Sequence, residues 1–262
     1  YIDCLAKLGF GFIEVGTITP KAQPGNPKPR SFRLTKEEGI INRFGFNNDG
    51  IDKVIKNIQK SKFKGILGIN IGKNFDTPIS KATNDYLICF RKSYLFASYI
   101  VLNISSPNTK NLRKLQEFKN LEELLKVIKG EQKVLYKKYG KYVPFLLKIS
   151  PDNTNSQLTS ICKLLKKYKI DGVIATNTTL SRSEIGKSPK RHESGGLSGL
   201  PLKSSSLKTL KFLKLSLNGK IPIIGVGGVM SGKDGKEKID NGAELIQIYS
   251  GLIFKGHKLI YE

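Results

Sequence analysis

Seven short apolar runs alternate with amphipathic stretches along this chain, and that alternation limits the fold more than any other feature. The runs are Phe12-Ile13-Glu14-Val15, Ile66-Leu67-Gly68-Ile69, Tyr99-Ile100-Val101-Leu102, Phe145-Leu146-Leu147, Gly172-Val173-Ile174-Ala175, Ile221-Pro222-Ile223-Ile224 and Leu245-Ile246-Gln247-Ile248. Near-continuous apolarity is what a parallel strand buried on both faces requires. Between the runs, apolar residues recur at helical spacing. Examples are Ile51, Val54, Ile55 and Ile58; Tyr86, Cys89 and Phe90; Leu121, Leu124, Leu125 and Ile128; Leu158, Ile161, Cys162 and Leu165; Leu207, Leu210 and Leu213. A weaker helix is expected over 236–239, because Gly232 and Gly235 lower its propensity.

So many β/α units in a row favour a barrel over an open sheet. The expectation is an α/β chain of the (β/α)8 TIM-barrel class in which this sequence supplies seven of the eight strands. Residues 1–8 read as a helix closed by Gly9, and the chain stops at Glu262, where a last helix is due. The first strand, the helices before it and the closing helix are therefore expected outside this sequence.

The formal net charge of +24 raises nucleic acid or an acidic membrane as partners. Lysine dominates the basic residues and is spread over every expected helix, as in Lys163-Leu164-Leu165-Lys166-Lys167. That pattern describes solvated helix faces with no single binding stripe, so nucleic acid is not expected. Diffuse attraction to anionic lipid needs only scattered charge and stays open. Cys4, Cys89 and Cys162 form no CxxC motif and read as buried free thiols of a reducing compartment. Neither His192 nor His257 has a partner at ligand spacing, so no metal site is expected. No run reaches the ~18 apolar residues of a membrane span, and no signal peptide is present.

Chemistry is expected where the strands end. Asn103-Ile104-Ser105-Ser106-Pro107-Asn108-Thr109 follows the strand at 99–102. In parallel α/β folds that end of a strand is where ligands bind. Its amides and hydroxyls carry donors and acceptors without charge, which suits a flat polar ring. Thr17, Asn70 and Thr176-Asn177-Thr178-Thr179 sit at equivalent positions after other strands. Each alone is an ordinary turn residue. Together they suggest hydrogen-bonding groups around one ligand. Lys148 ends another strand, where it is either a surface lysine or a charge facing a flavin ring.

Gly225-Val226-Gly227-Gly228 and Tyr249-Ser250-Gly251 follow the last two strands, whose loops cradle phosphate in barrels. A Gly-Gly pair alone also makes a tight turn; the second glycine-bearing loop one unit later favours the phosphate. Two long connections, 18–46 and 180–201, are expected to act as lid or cofactor loops. The first carries Asn42-Arg43-Phe44-Gly45-Phe46, where Gly45 suggests a tight backbone approach and Asn42 offers an amide.

With these residues in view, the chain resembles the class 2, quinone-dependent dihydroorotate dehydrogenases over nearly all its length. The matching segments are 17–26, 41–48, 68–74, 103–109, 172–179, 195–199, 225–228 and 247–254. The resemblance implies one FMN-binding barrel domain over 1–262 that oxidises (S)-dihydroorotate to orotate, with a quinone as acceptor, in de novo pyrimidine synthesis. It implies that Ser106 is the catalytic base for the C5 proton; class 1 relatives use cysteine there, so serine points to class 2. It implies FMN contacts from Thr17, Asn70, Asn103, Lys148, Thr176, Gly199, Gly228, Tyr249 and Ser250. Substrate contacts are implied for Asn42, Arg43, Phe44, Gly45, Phe46, Asn103, Asn108, Asn177 and Thr178. Arg33 resembles an arginine near the quinone tunnel, and residues 104–115 a lid that excludes water.

Where relatives carry glycine after Pro-Asn-Thr, this chain has Lys110-Asn111, and asparagine tolerates a positive φ. The resemblance also implies peripheral attachment to the cytoplasmic side of the inner membrane through the family's N-terminal helices. The readings left beside it are another phosphate-cradling flavin barrel, such as a class 1 enzyme using fumarate or NAD, and a chain without enzymatic activity, either a truncated inactive product or a basic binding module.

Overall fold

A computed structural model describes residues 1–262. Seven parallel strands form one sheet: β1 (Phe12–Ile18), β4 (Ile66–Ile71), β5 (Tyr99–Asn103), β6 (Phe145–Ile149), β7 (Gly172–Ala175), β9 (Ile223–Val226) and β10 (Leu245–Gln247), adjacent in that order. All seven expected strands form. The sheet curls as a barrel wall does, so that its two edge strands face each other across the interior. Gln247 on β10 donates from Nε2 to Glu14 Oε2 on β1 at 2.8 Å. The helices are α1 (Ile2–Ala6), α2 (Ile51–Gln59), α3 (Ala82–Ser93), α4 (Phe118–Tyr139), α5 (Asn155–Lys167), α6 (Lys203–Leu217), α7 (Gly232–Asp240) and α8 (Ser250–Lys255). Helices α2 to α6 pack side by side outside the sheet in chain order.

Strand parity divides the core. Successive side chains point to opposite faces. Ile100, Leu102, Leu147 and Val173 point outward into a 39-residue apolar layer shared with the helices. Tyr99, Val101, Leu146, Ile174, Ile224 and Val226 point inward into a separate six-residue plug, with Phe12 packed against it. The same parity carries Asn103, Lys148 and Thr176 inward, one step beyond Val101, Leu146 and Ile174. Parallel register sets Asn103 beside Lys148. The plug thus floors a cavity whose walls are the polar ends of the strands.

Local signals account for the helix ends. Thr154 and Gln157 form a reciprocal capping box that starts α5. Gly140 in the left-handed conformation closes α4. Asn111 takes φ +58°, in the left-handed region that asparagine tolerates.

The two long connections differ from the expectation of plain loops. They contribute β2 (Ser31–Leu34), β3 (Gly39–Asn42) and β8 (Gly196–Gly199), which form an antiparallel sheet of their own in the order β2, β3, β8. Ile41 pairs with Leu197, and both are fully buried. Cys89 and Cys162 are buried as expected; Cys4 is exposed, because α1 buries none of its residues. No helix is long and apolar enough to cross a membrane.

Candidate active site

A cavity of about 430 Å³ opens at the carboxyl ends of the strands. Thr17, Asn103, Ser106, Lys148 and Thr176 line one side, with Asn42, Phe44, Gly45, Phe46, Asn108, Asn177 and Thr178 over them. Ser198, Gly199, Gly227, Gly228, Tyr249, Ser250 and Gly251 line the other. Lys148 is the one charged side chain in this wall. Strand parity explains the side-chain half; backbone without side chains explains the other.

Gly228 has φ +73°, and a Cβ there would lie 2.3 Å from Lys203 Cα. Only glycine lets this turn pass so close to the start of α6. Bare main chain is what a phosphate needs for close approach to N–H groups. Beneath it, Ser206 donates from Oγ to Gly227 O at 2.8 Å, and Lys238 Nζ donates to Ser206 Oγ at 2.9 Å. Burial pushes the Lys238 ammonium down to about 8, despite Glu237 and Asp234 nearby. Lys203 pairs with Asp234 and Glu237, and those bonds raise it.

The side-chain half is held by hydrogen bonds between elements. Tyr86 of α3 donates to Asn103 O at 2.7 Å, fixing the end of β5. Ser105 Oγ donates to Lys148 O at 2.6 Å and accepts from Asn177 Nδ2 at 3.1 Å. Asn108 Nδ2 donates to Asn42 Oδ1 at 3.2 Å. Ser106 is 6% exposed, and its Oγ accepts from Asn108 N at 3.3 Å. No carboxylate or imidazole is hydrogen-bonded to that hydroxyl.

The loop carrying Ser106 is clamped at three points. Arg113 donates to Ser105 O and to Thr178 O, and pairs with Asp152 at 2.7 Å. Asn26 donates from Nδ2 to Asn108 O at 3.1 Å and to Arg43 O at 2.9 Å. Gly45 fits this corner as expected: φ is +72°, and a Cβ would sit 2.8 Å from the Asn26 side chain. Thr109 Oγ1, in the same loop, is buried without a protein partner.

Three residues lie outside the lining of this cavity. Arg43 turns away from the cavity: it pairs with Glu193 at 2.8 Å and its guanidinium lies 4.5 Å from the centre of the Phe32 ring. Asn70 sits one layer lower, between Thr17 and Glu14, along a second cavity inside the barrel. Arg33 stacks over Phe254, 5.3 Å from the ring centre, outside both cavities. Conversely, Glu14, Ser105 and Gln247 belong to the polar network, although sequence reasoning assigns them no role. The signal for Glu14 was legible: a lone acid inside an apolar strand.

Comparison with known proteins agrees with this geometry. The model of the dihydroorotate dehydrogenase family matches residues 1–262. A dihydroorotate dehydrogenase (quinone) of Methylobacillus flagellatus is 56% identical over 260 residues, which is 99% of this chain and 77% of that protein. Its namesake in Neisseria meningitidis serogroup A is 57% identical over 262 residues, 100% of this chain and 78% of that one. Among solved structures, the Eimeria tenella DHODH in complex with ferulenol superposes with a TM-score of 0.90 at 38% identity, covering 98% of this chain and 73% of its own. Strand order, cavity and sequence thus lead to one conclusion, that the chain belongs to the dihydroorotate dehydrogenase family.

Proposed function

We propose that this chain oxidises (S)-dihydroorotate to orotate, with FMN as its flavin and a quinone as the final acceptor, in pyrimidine synthesis. The observation that carries the reading is the shared cavity, where Ser106, a ring of neutral amides and a glycine cradle meet. Residues 1–262 act as one FMN-binding unit in this reading. The donor set fits FMN. Bare main chain at Gly199 and Gly228, with Tyr249 and Ser250, takes the phosphate; Thr17, Asn103, Lys148 and Thr176 take the ring system, with Asn70 supporting Thr17 from below. Bound there, FMN supplies the acceptor for the hydride that leaves C6 of the substrate.

The residues of the chain do the rest. Asn42, Asn103, Asn108, Asn177 and Thr178 offer donors and acceptors to the carboxylate and imide of dihydroorotate, and Phe44, Gly45 and Phe46 cover it. Two of these amides, Asn42 and Asn108, satisfy each other and exchange that bond for the substrate. Ser106 Oγ takes the C5 proton as its own hydroxyl proton leaves through a relay to bulk water, so that the hydroxyl is regenerated. A serine hydroxyl is a weak base, so it works only where water is excluded and neighbours hold it. The Arg113 and Asn26 clamps provide that closure, and the Asn108 N–H holds Oγ in place. Lys148 supplies the one positive charge in the wall, where negative charge develops on the ring system. A lipid-soluble quinone places the protein at the cytoplasmic face of the inner membrane. Segments found in the longer relatives would make that contact, aided by the net charge of +24.

Anaerobic addition of dihydroorotate to the yellow FMN complex tests this reading. Bleaching with one orotate formed per flavin is expected, followed by return of colour with a short-chain quinone and not with fumarate or NAD. A flavin that stays oxidised contradicts it.

A further inference from the structure

The polar side chains inside the barrel form a chain of hydrogen bonds that runs in one direction. Asn177 Nδ2 donates to Asn103 Oδ1 at 3.0 Å, and Asn103 Nδ2 donates to Thr17 Oγ1 at 2.8 Å. The Thr17 hydroxyl donates to Asn70 Oδ1 at 2.7 Å, and Asn70 Nδ2 donates to Glu14 Oε1 at 2.8 Å. The chain stops there because a carboxylate only accepts. Three more donors converge on the same group: Gln247 Nε2 at 2.8 Å, Tyr99 OH at 3.3 Å and Lys148 Nζ at 3.5 Å.

Each link dictates the next. An amide can offer a neighbour its nitrogen or its oxygen. A carboxylate below Asn70 demands the nitrogen, so the Asn70 oxygen faces Thr17. Thr17 must then donate, and only its lone pairs remain for Asn103. Asn103 spends its nitrogen on Thr17 and turns its oxygen toward Asn177 and the mouth. At the mouth the Thr178 N–H holds the Asn177 oxygen at 2.8 Å, so the run is pinned by a main-chain donor at one end and by the Glu14 carboxylate at the other.

We propose that Glu14 is a positioning residue that holds the inner end of this run, the donor and acceptor polarity of Asn70 and Thr17 beneath the flavin, and anchors the Lys148 ammonium. This rests on the flavin reading above. A carboxylate largely withdrawn from solvent, 13% exposed, is costly unless donors surround it, and an apolar side chain fills the same face of β1 at Phe12. The Tyr99 phenol is raised far above its ordinary range, first by burial and then by the Glu14 charge beside it. A carboxylate kept at this cost, with ligand-facing groups as its partners, serves the ligand.

Glu14→Gln keeps the shape and removes both the charge and the acceptor-only end, so that Asn70 and Thr17 are no longer held in one orientation. Against the wild-type holoenzyme, FMN affinity is expected to fall at least tenfold. The potential of the bound flavin is expected to become more positive, since a negative charge near the ring is gone. Glu14→Asp is expected to restore the affinity to within about threefold and the potential to the wild-type side. A role in tying β1 to β10 alone would lower the melting temperature and leave the potential in place. A folded Glu14→Gln protein with wild-type FMN affinity and potential overturns the proposal. Wild-type protein that binds no FMN overturns both this and the functional reading, which separates the two failures. Neutron diffraction from the deuterated wild-type holoenzyme needs no variant. Deuterium on Asn70 Nδ2 facing Glu14, and on Thr17 Oγ1 facing Asn70, is expected; the reverse assignment overturns the proposal.

Discussion

On the β5–β6–β7 side of the cavity, Asn103, Lys148 and Thr176 reach inward with side chains, whereas on the β9–β10 side Gly227, Gly228 and Gly251 present main chain alone. Each half rests on a charge of opposite sign. Glu14 lies under the amides and Lys238 under the glycines. The difference follows from what each half has to hold. A heterocycle is recognised by the pattern of donors and acceptors at its edge, so side chains of fixed polarity are needed. A phosphate is recognised by negative charge and close approach, so side chains obstruct and a positive charge beneath helps.

The sharpest way to break this division is to give the backbone half a side chain. Gly228→Val adds a Cβ that would meet Lys203 Cα at 2.3 Å, at a φ of +73° that valine rarely adopts. FMN binding is expected to be lost, by at least 100-fold in dissociation constant, as read by flavin fluorescence quenching. The other half is tested by Ser106→Ala. FMN affinity is expected to hold within threefold while single-turnover flavin reduction by dihydroorotate slows at least 100-fold, the scale of a lost proton acceptor. Equal damage to both quantities would mean that the halves do not act separately.

Lys238→Met addresses the charge under the phosphate cradle. Lys238 is 2% exposed and titrates at about 8 in the folded chain against 10.5 for an ordinary lysine. The folded value lies below the unfolded one. The penalty is therefore complete below pH 8 and disappears as the pH rises toward 10.5, and stability climbs across that window. The methionine stem keeps the packing on Gly225 and removes the penalty, less about 1 kcal/mol for the bond to Ser206. A gain of about 1–2 kcal/mol at pH 7, gone by pH 10.5, is expected from urea melts of the FMN-free protein. FMN affinity should fall several-fold at the same time.

Legibility followed locality. The seven strands were readable because each is a continuous apolar run, and parity then sent Asn103 and Lys148 to the same face. That Gly228 and Ser106 would line one cavity was readable because their loops follow those strands directly. The β2–β3–β8 sheet was not. Each of its strands is four residues long, among prolines and glycines, and β8 pairs with β3 from far along the chain. The direction of the Arg43 side chain was hidden for a related reason: the acid that pairs with it, Glu193, lies in the other long connection. Glu14 was visible as a charge in an apolar strand. Its partners come from β4, β5, β6 and β10, and only the folded barrel assembles them.

The division of labour between the two halves is tested most directly by comparing FMN with riboflavin, which keeps the ring system and lacks the phosphate. Equilibrium binding to the wild-type chain should favour FMN by at least 100-fold, and Lys238→Met should narrow that ratio while leaving riboflavin affinity unchanged. Equal affinities for the two flavins would contradict a phosphate seat at Gly228, and with it the split of the cavity into a side-chain half and a main-chain half.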